Sequence, residues 1–112
     1  MRIVDRKMFL VMPAGTLYSK YSPCVFGDLC IKGQTVGDND FFSQQINDAI
    51  QHNSSDEFAD ALLSAAKTGA DLQMDFYFEG RDGLFDGDQL FAVWSRADVV
   101  ALIVRLTRTL TA

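Results

Sequence analysis

Apolar residues at helical spacing predict two helices in the second half of the chain. Ser54 and Glu57 form a capping-box pattern, and Gly69 follows the helix at a position typical of a C-cap. Ser95 and Asp98 form a second capping box ahead of another apolar stripe. The members of this second stripe are Val99, Leu102, Ile103, Leu106 and Leu110. We expect both stripes to face inward.

The first half of the chain is richer in β-branched and aromatic residues. After a helix of two turns at most, which begins at Asp5, residues 16–21 and 25–32 predict two strands. Residues 43–51 follow a helical pattern, which we favour, although Phe41 and its neighbour also fit a short strand.

Residues 74–79 alternate between apolar and polar, and residues 90–94 form a second apolar run. Between them lies an acidic, glycine-rich segment, so the pattern predicts a β-hairpin. Hairpins beside helices favour an α+β fold: an antiparallel sheet of four to five strands with two to three helices packed mainly on one face. Residues 1–112 are expected to form a single globular domain, since this length is typical of one.

Negative charge is concentrated at the predicted hairpin tip. Five carboxylates and one arginine lie between Asp75 and Asp88, so this segment accounts for four of the five net negative charges of the chain. Leu84 and Phe85 are large apolar residues among these acidic ones, an arrangement typical of a protein–protein hot spot. The candidate partner-binding residues are Asp75, Tyr77, Glu79, Arg81, Asp82, Leu84, Phe85, Asp86 and Asp88.

Other interpretations of the same segment stay open. A solvated turn needs only the turn geometry of Asp and Gly, and Asp82, Asp86 and Asp88 could instead bind calcium, although their spacing does not match an EF-hand. Phe76 and Phe78 are expected in the core. We expect no metal site and no cofactor.

The cysteine content, the charge and the hydropathy of the chain argue against a zinc site, direct nucleic-acid binding and a membrane span. Cys24 and Cys30 lack a zinc spacing, and His52 is the only histidine in the chain that could complete a metal site. Reduced thiols are therefore expected. No catalytic residues are assigned. A pI near 4.6 argues against direct nucleic-acid binding. No apolar run reaches the ~20 residues of a membrane span, and the charged N-terminal residues do not resemble a signal peptide. A cytoplasmic protein is expected.

Four short segments together resemble small uncharacterised proteins of tailed phages and prophages. These segments are residues 12–18, 41–42, 81–86 and 89–94. The resemblance spans most of the chain and carries over no catalytic residue. It implies a single-domain accessory factor, since some such proteins block host enzymes or bacterial immune systems by presenting an acidic surface to a nucleic-acid-binding site. The host cytoplasm is then the expected location.

The resulting hypothesis is a non-enzymatic interaction protein, such as a phage-encoded inhibitor of a host defence or nucleic-acid-binding enzyme. Its acidic aromatic hairpin would bind a protein partner with a basic surface, and the protein would be a monomer or a homodimer paired through an edge strand at residues 16–21. The alternative is a module that binds or sequesters a nucleotide-like ligand. Its pocket would be lined by Tyr18, Tyr21, Tyr77 and Trp94. A small acid–base hydrolase that uses Asp75 and Glu79 is the remote alternative.

Overall fold

The computed structural model describes residues 1–83 and 85–112, so Leu84 lies outside the described residues. Within them are six strands, three α-helices and a terminal 3-10 helix at Arg108–Thr111. The strands are β1 (Arg2–Val4), β2 (Leu17–Ser22), β3 (Val25–Val36), β4 (Asp40–Gln45), β5 (Gly80–Arg81) and β6 (Leu90–Val93). The helices are α1 (Arg6–Leu10), α2 (Ser55–Thr68) and α3 (Arg96–Thr107).

All six strands form one antiparallel sheet in the order β1-β6-β2-β3-β4-β5. This confirms the predicted α+β class, but the expected four to five strands are too few. The extra strands are the two edges, β1 with three residues and β5 with two, which are too short to show a period-two pattern. β2 lies between β6 and β3, so the predicted edge strand at residues 16–21 is interior and cannot pair across a dimer axis.

The predicted helix at residues 43–51 is wrong. Asp40–Gln45 is a strand paired with β3, from Val36 opposite Asp40 to Cys30 opposite Gln45, with a β-bulge between Lys32 and Thr35. Phe41 is fully buried there against Phe9, at 5.0 Å between ring centroids. The burial of an aromatic ring and the strand pairing with β3 outweigh the weak helical pattern of a polar segment.

The predicted hairpin of residues 74–94 is also wrong. β5 pairs with β4 at one edge of the sheet, whereas β6 pairs with β1 and β2 near the other. Met74 forms an isolated β-bridge with Ile50 outside the six strands, and residues 76–77 form a turn. The acidic segment therefore crosses the sheet instead of closing a hairpin.

The core is an aromatic cluster beneath α1. Asp5 caps this helix by accepting a hydrogen bond from the Met8 N–H at 2.8 Å, and the helix then places Phe9 on the sheet. The Phe9 ring stacks on Phe91 at 4.0 Å and lies 4.7 Å from Tyr18. These side chains are almost fully buried, so they supply a large share of the hydrophobic stabilisation.

Helices lie on both faces of the sheet, so the prediction that they pack mainly on one face is wrong. Tyr18 faces α1, while its neighbour Leu17 points to the opposite face, where it lines a cavity beneath α3. The predicted N-caps of α2 and α3, Ser54 and Ser95, are confirmed. The α3 stripe is only partly inward, because Val99 and Leu102 are half-buried whereas the other three members are exposed.

Candidate functional site

The acidic aromatic segment, defined as residues 75–88 without the undescribed Leu84, exposes an unusual number of aromatic rings. Tyr77 is 93% exposed. Phe76, Phe78 and Phe85 are each more than half exposed, so the expectation that Phe76 and Phe78 build the core is wrong. The sequence left open whether Phe85 packs on the core or is exposed, and in the structure it is exposed.

A tight turn places Tyr77 at its apex. The Asp75 carboxylate accepts a hydrogen bond from the Tyr77 N–H at 3.0 Å, a turn geometry that Asp favours. The Asp75 N–H donates to the Ala49 carbonyl at 2.6 Å, which fixes the turn to the preceding segment. On the inner side, the Phe78 ring lies 5.9 Å from the ring of His52. The exposed tyrosine is therefore held by an ordered backbone.

Asp82 is separated from the other carboxylates of the segment because it points into the protein. Its side chain is 8% exposed and forms an ion pair with Lys20, with Nζ 2.7 Å from a carboxylate oxygen. Arg6 Nη2 lies 3.9 Å from the second carboxylate oxygen, and the Asp82 N–H donates to the Phe41 carbonyl. This residue anchors the crossover to the sheet, whereas the sequence pattern placed it at an exposed tip.

Arg81 connects the segment to a buried carboxylate that the sequence pattern did not single out. Its Nε donates to Asp40 at 2.8 Å, and Asp40 also accepts hydrogen bonds from the backbone N–H groups of Gly83 and Phe41. These bonds, with that of Gly83 the largest contribution, hold the pKa of Asp40 below its usual value. Arg81 therefore fixes the start of the crossover, with half of its side chain still exposed.

The carboxylates of Glu79, Asp86 and Asp88 remain on the exterior. Asp86 accepts a hydrogen bond from the Asp88 N–H at 3.0 Å, which forms a second local turn. In the described part of the chain, no group of three or more His, Cys, Asp or Glu side chains is arranged to hold a metal ion. The calcium interpretation of Asp82, Asp86 and Asp88 gains no support, since Asp82 is directed inward.

A polar cavity of about 270 Å³ lies next to Asp82 on the α1 side of the sheet. Tyr18, Lys20, Asp28, Cys30 and Gln45 contribute to its lining. Burial raises the pKa of the Cys30 thiol and of the Tyr18 hydroxyl, so both groups are protonated and neither is an activated nucleophile. The cavity can accept a small polar molecule through hydrogen bonds and the Lys20 ammonium.

The predicted tyrosine and tryptophan pocket is not formed. Tyr18 belongs to the core under α1, and Tyr77 lies in the exposed turn. Tyr21 and Trp94 instead flank Phe26, at 5.3 and 6.4 Å between ring centroids. That aromatic group was missed because the β2–β3 register that assembles it is not visible in the local pattern.

The two cysteines are free thiols with different environments. Cys24 is exposed in the turn between β2 and β3, and Cys30 is buried with its Sγ 3.1 Å from Gln45 Oε1.

Among the described residues, no helix is long and apolar enough to cross a membrane. Comparison of the chain with protein-family models, curated proteins and solved structures gives no match.

Proposed function

We propose that this chain is a non-enzymatic interaction protein whose acidic aromatic segment binds a protein partner with a basic surface. The observation that carries the proposal is the 93% exposure of Tyr77 at the apex of an ordered turn. Phe76 and Phe78 on either side are also more than half exposed. Aromatic side chains held in water by a fixed backbone are typical of interface anchors.

The charged and aromatic groups have different roles in this mechanism. Glu79, Asp86 and Asp88 supply exterior negative charge, which attracts a basic partner and speeds the encounter. Tyr77 and Phe85 supply large rigid contact area, which slows dissociation. Asp82 takes no direct part, since its side chain is engaged with Lys20 inside the protein.

The resemblance to phage and prophage accessory proteins favours a particular partner, a host defence or nucleic-acid-binding enzyme in the cytoplasm. Such enzymes hold phosphates with lysine and arginine side chains. An acidic segment with protruding rings would compete with the nucleic acid for that groove. The protein would then act as an inhibitor by occupying the groove, without chemistry of its own.

The test is affinity capture from a bacterial host lysate at low and at high salt. The first variant converts Glu79, Asp86 and Asp88 to their amides, and a second replaces Tyr77 by Ala. We expect the amide variant to lose capture of the partner mainly through slower association, and the tyrosine variant to lose it through faster dissociation. Binding rates to the purified partner separate the two effects.

The matched control carries the same change in net charge elsewhere. Asp56, Asp60 and Asp71 are all exposed and lie outside the acidic aromatic segment, so their conversion to amides leaves the proposed surface intact. Equal loss of binding in both triple variants would mean that only net charge matters. Unchanged binding in the segment variants would remove the proposal.

The polar cavity beside Asp82 favours a second candidate function, the binding of a small polar or nucleotide-like ligand. At about 270 Å³ it is slightly smaller than the common range of ligand sites, which begins near ~300 Å³. A panel of nucleotides and other small metabolites should then raise the melting temperature of the wild type but not of Lys20→Met. A panel without any shift would exclude the candidate.

A further inference from the structure

Helix α3 is apolar on both of its faces. Ala101 and Leu102 face the sheet, where they line a cavity of about 400 Å³ together with Leu17 and Leu29. On the remaining surface, large apolar side chains are each more than half exposed: Val100, Ile103, Val104, Leu106 and, in the terminal 3-10 helix, Leu110. A helix face made of large apolar side chains is usually packed against another element.

The outer residues follow the spacing of a helix–helix seam. Val100, Ile103, Thr107 and Leu110 are separated by three, four and three positions, and lie opposite the residues that line the cavity. The Thr107 hydroxyl donates to the Ile103 carbonyl at 2.7 Å, so its polar group is already paired within the helix. The seam is therefore uncharged from Val100 to Leu110, and the exposed Arg96, one turn before Val100 on the same stripe, marks its N-terminal end.

The molecule also has more surface than a monomer of its size requires. Its accessible surface is 7950 Å². A folded monomer of this mass exposes about 6,200 Å², so the excess is on the order of 1,800 Å². The radius of gyration is 15.5 Å, against about 13 Å for a compact domain of this length. Neither α2 nor α3, each described in full, has a fully buried residue.

We propose that α3 packs antiparallel against α3 of a second copy of this chain, around a two-fold axis near Ile103. A two-fold axis brings the same stripe onto itself, which requires a self-complementary surface. With the axis between Ile103 and Val104, Val100 approaches Thr107 of the other copy. The two Ile103 side chains then lie next to each other, with Val104 flanking the seam. Arg105 lies on the cavity side, so its charge does not oppose the second copy.

The areas fit this occupant. The five exposed side chains of α3 and the 3-10 helix present roughly 500 Å² of apolar surface, comparable with the largest apolar patch of a typical monomer. A stable interface needs about 800 Å² per partner, so these side chains supply more than half of that area and the flanks of the helix would supply the rest.

The test measures the mass of the protein in solution by sedimentation, with Ile103→Glu as the disrupting variant. We expect the wild type at twice the 12.5 kDa chain mass. In Ile103→Glu both copies introduce a carboxylate at the axis, which should raise the dissociation constant at least about a hundredfold. The matched control is Leu63→Glu on α2, an equally exposed apolar site, which should stay dimeric. Circular dichroism confirms that both variants fold.

A cross-link provides a second measurement that does not depend on disruption. Ile103→Cys in a Cys24→Ser background should form a disulfide-linked dimer under mild oxidation, because the axis brings the two thiols together. Leu63→Cys in the same background should not. A monomeric wild type, or a dimer that Leu63→Glu dissociates and Ile103→Glu does not, would overturn the proposal.

Discussion

Replacing Asp82 by Asn should lower the stability of the protein by about 3 kcal/mol. The Asp82 side chain is 8% exposed and that of Arg6 6%, so the interaction between them is shielded from water. Two guanidinium nitrogens of Arg6, Nε and Nη1, already lack a hydrogen-bond partner among the described residues. Loss of one member of a buried ion pair costs roughly 3–5 kcal/mol, because the other charge stays buried. We take the lower end, since Lys20 is 30% exposed and can regain water.

Urea unfolding followed by the fluorescence of Trp94, the only tryptophan, measures this free energy. With a urea dependence of about 1.5 kcal/mol per molar for a domain of this size, the transition midpoint should fall by about 2 M. The control is Asp86→Asn, which makes the same chemical change at an exposed carboxylate of the same segment. Its stability should stay within about 0.5 kcal/mol of the wild type.

Equal midpoints for the Asp82 and Asp86 variants would refute the argument. Asp82 would then contribute no more to folding than a solvated carboxylate. The prediction from sequence that Asp82 belongs to the partner-binding surface would again be supported. A stable Asp82→Asn protein with weakened partner binding would point to the same conclusion.

Three further predictions concern the core and the thiols. A depressed pKa means that the Asp40 carboxylate stabilises the fold above its unfolded value of 3.8 and that this effect is lost as the pH falls through the lower folded value. The unfolding free energy of the wild type should therefore drop more steeply below about pH 4 than that of Asp40→Asn. Urea titrations at a series of pH values test this, and parallel curves would contradict it. Phe9→Ala should cost about 3–5 kcal/mol in the same assay, because it empties the centre of the aromatic cluster; a loss below about 1 kcal/mol would mean that the cluster repacks. In the folded protein a thiol reagent should label Cys24 quickly and the buried Cys30 slowly, as counted by mass spectrometry, and equal rates would show that the Cys30 environment opens readily.

The elements that sequence predicts well are those with local signals. The N-caps at Asp5, Ser54 and Ser95 act on amides three positions away, so the residues themselves specify where each helix starts. Strand pairing has no such local signal. Leu90–Val93 is recognisable as a strand, but its position between β1 and β2 depends on the burial of Phe91 and Ala92 in the assembled sheet.

For the candidate site too, sequence predicts the local composition but not the contacts between distant residues. The concentration of carboxylates between Asp75 and Asp88 is visible in the sequence, as is the unusual position of Phe85. Asp82 and Asp86 are chemically identical, however, and only the positions of Lys20 and Arg6 distinguish the buried one from the exposed one. Those partners are distant in the chain, so no local pattern could identify the pair.

The position of β6 in the sheet has a consequence for synthesis on the ribosome. β2, β3 and β4 follow one another and can pair as soon as they emerge, but the other side of β2 stays open until Leu90–Val93 has been made. At about 5–20 residues per second, translation leaves the backbone groups of β2 that face β6 unpaired for several seconds. An open strand edge with aromatic side chains is prone to pair with other chains. Completion of the sheet is therefore a late event that depends on the C-terminal part of the chain, and a nascent-chain chaperone would have its main effect during this interval.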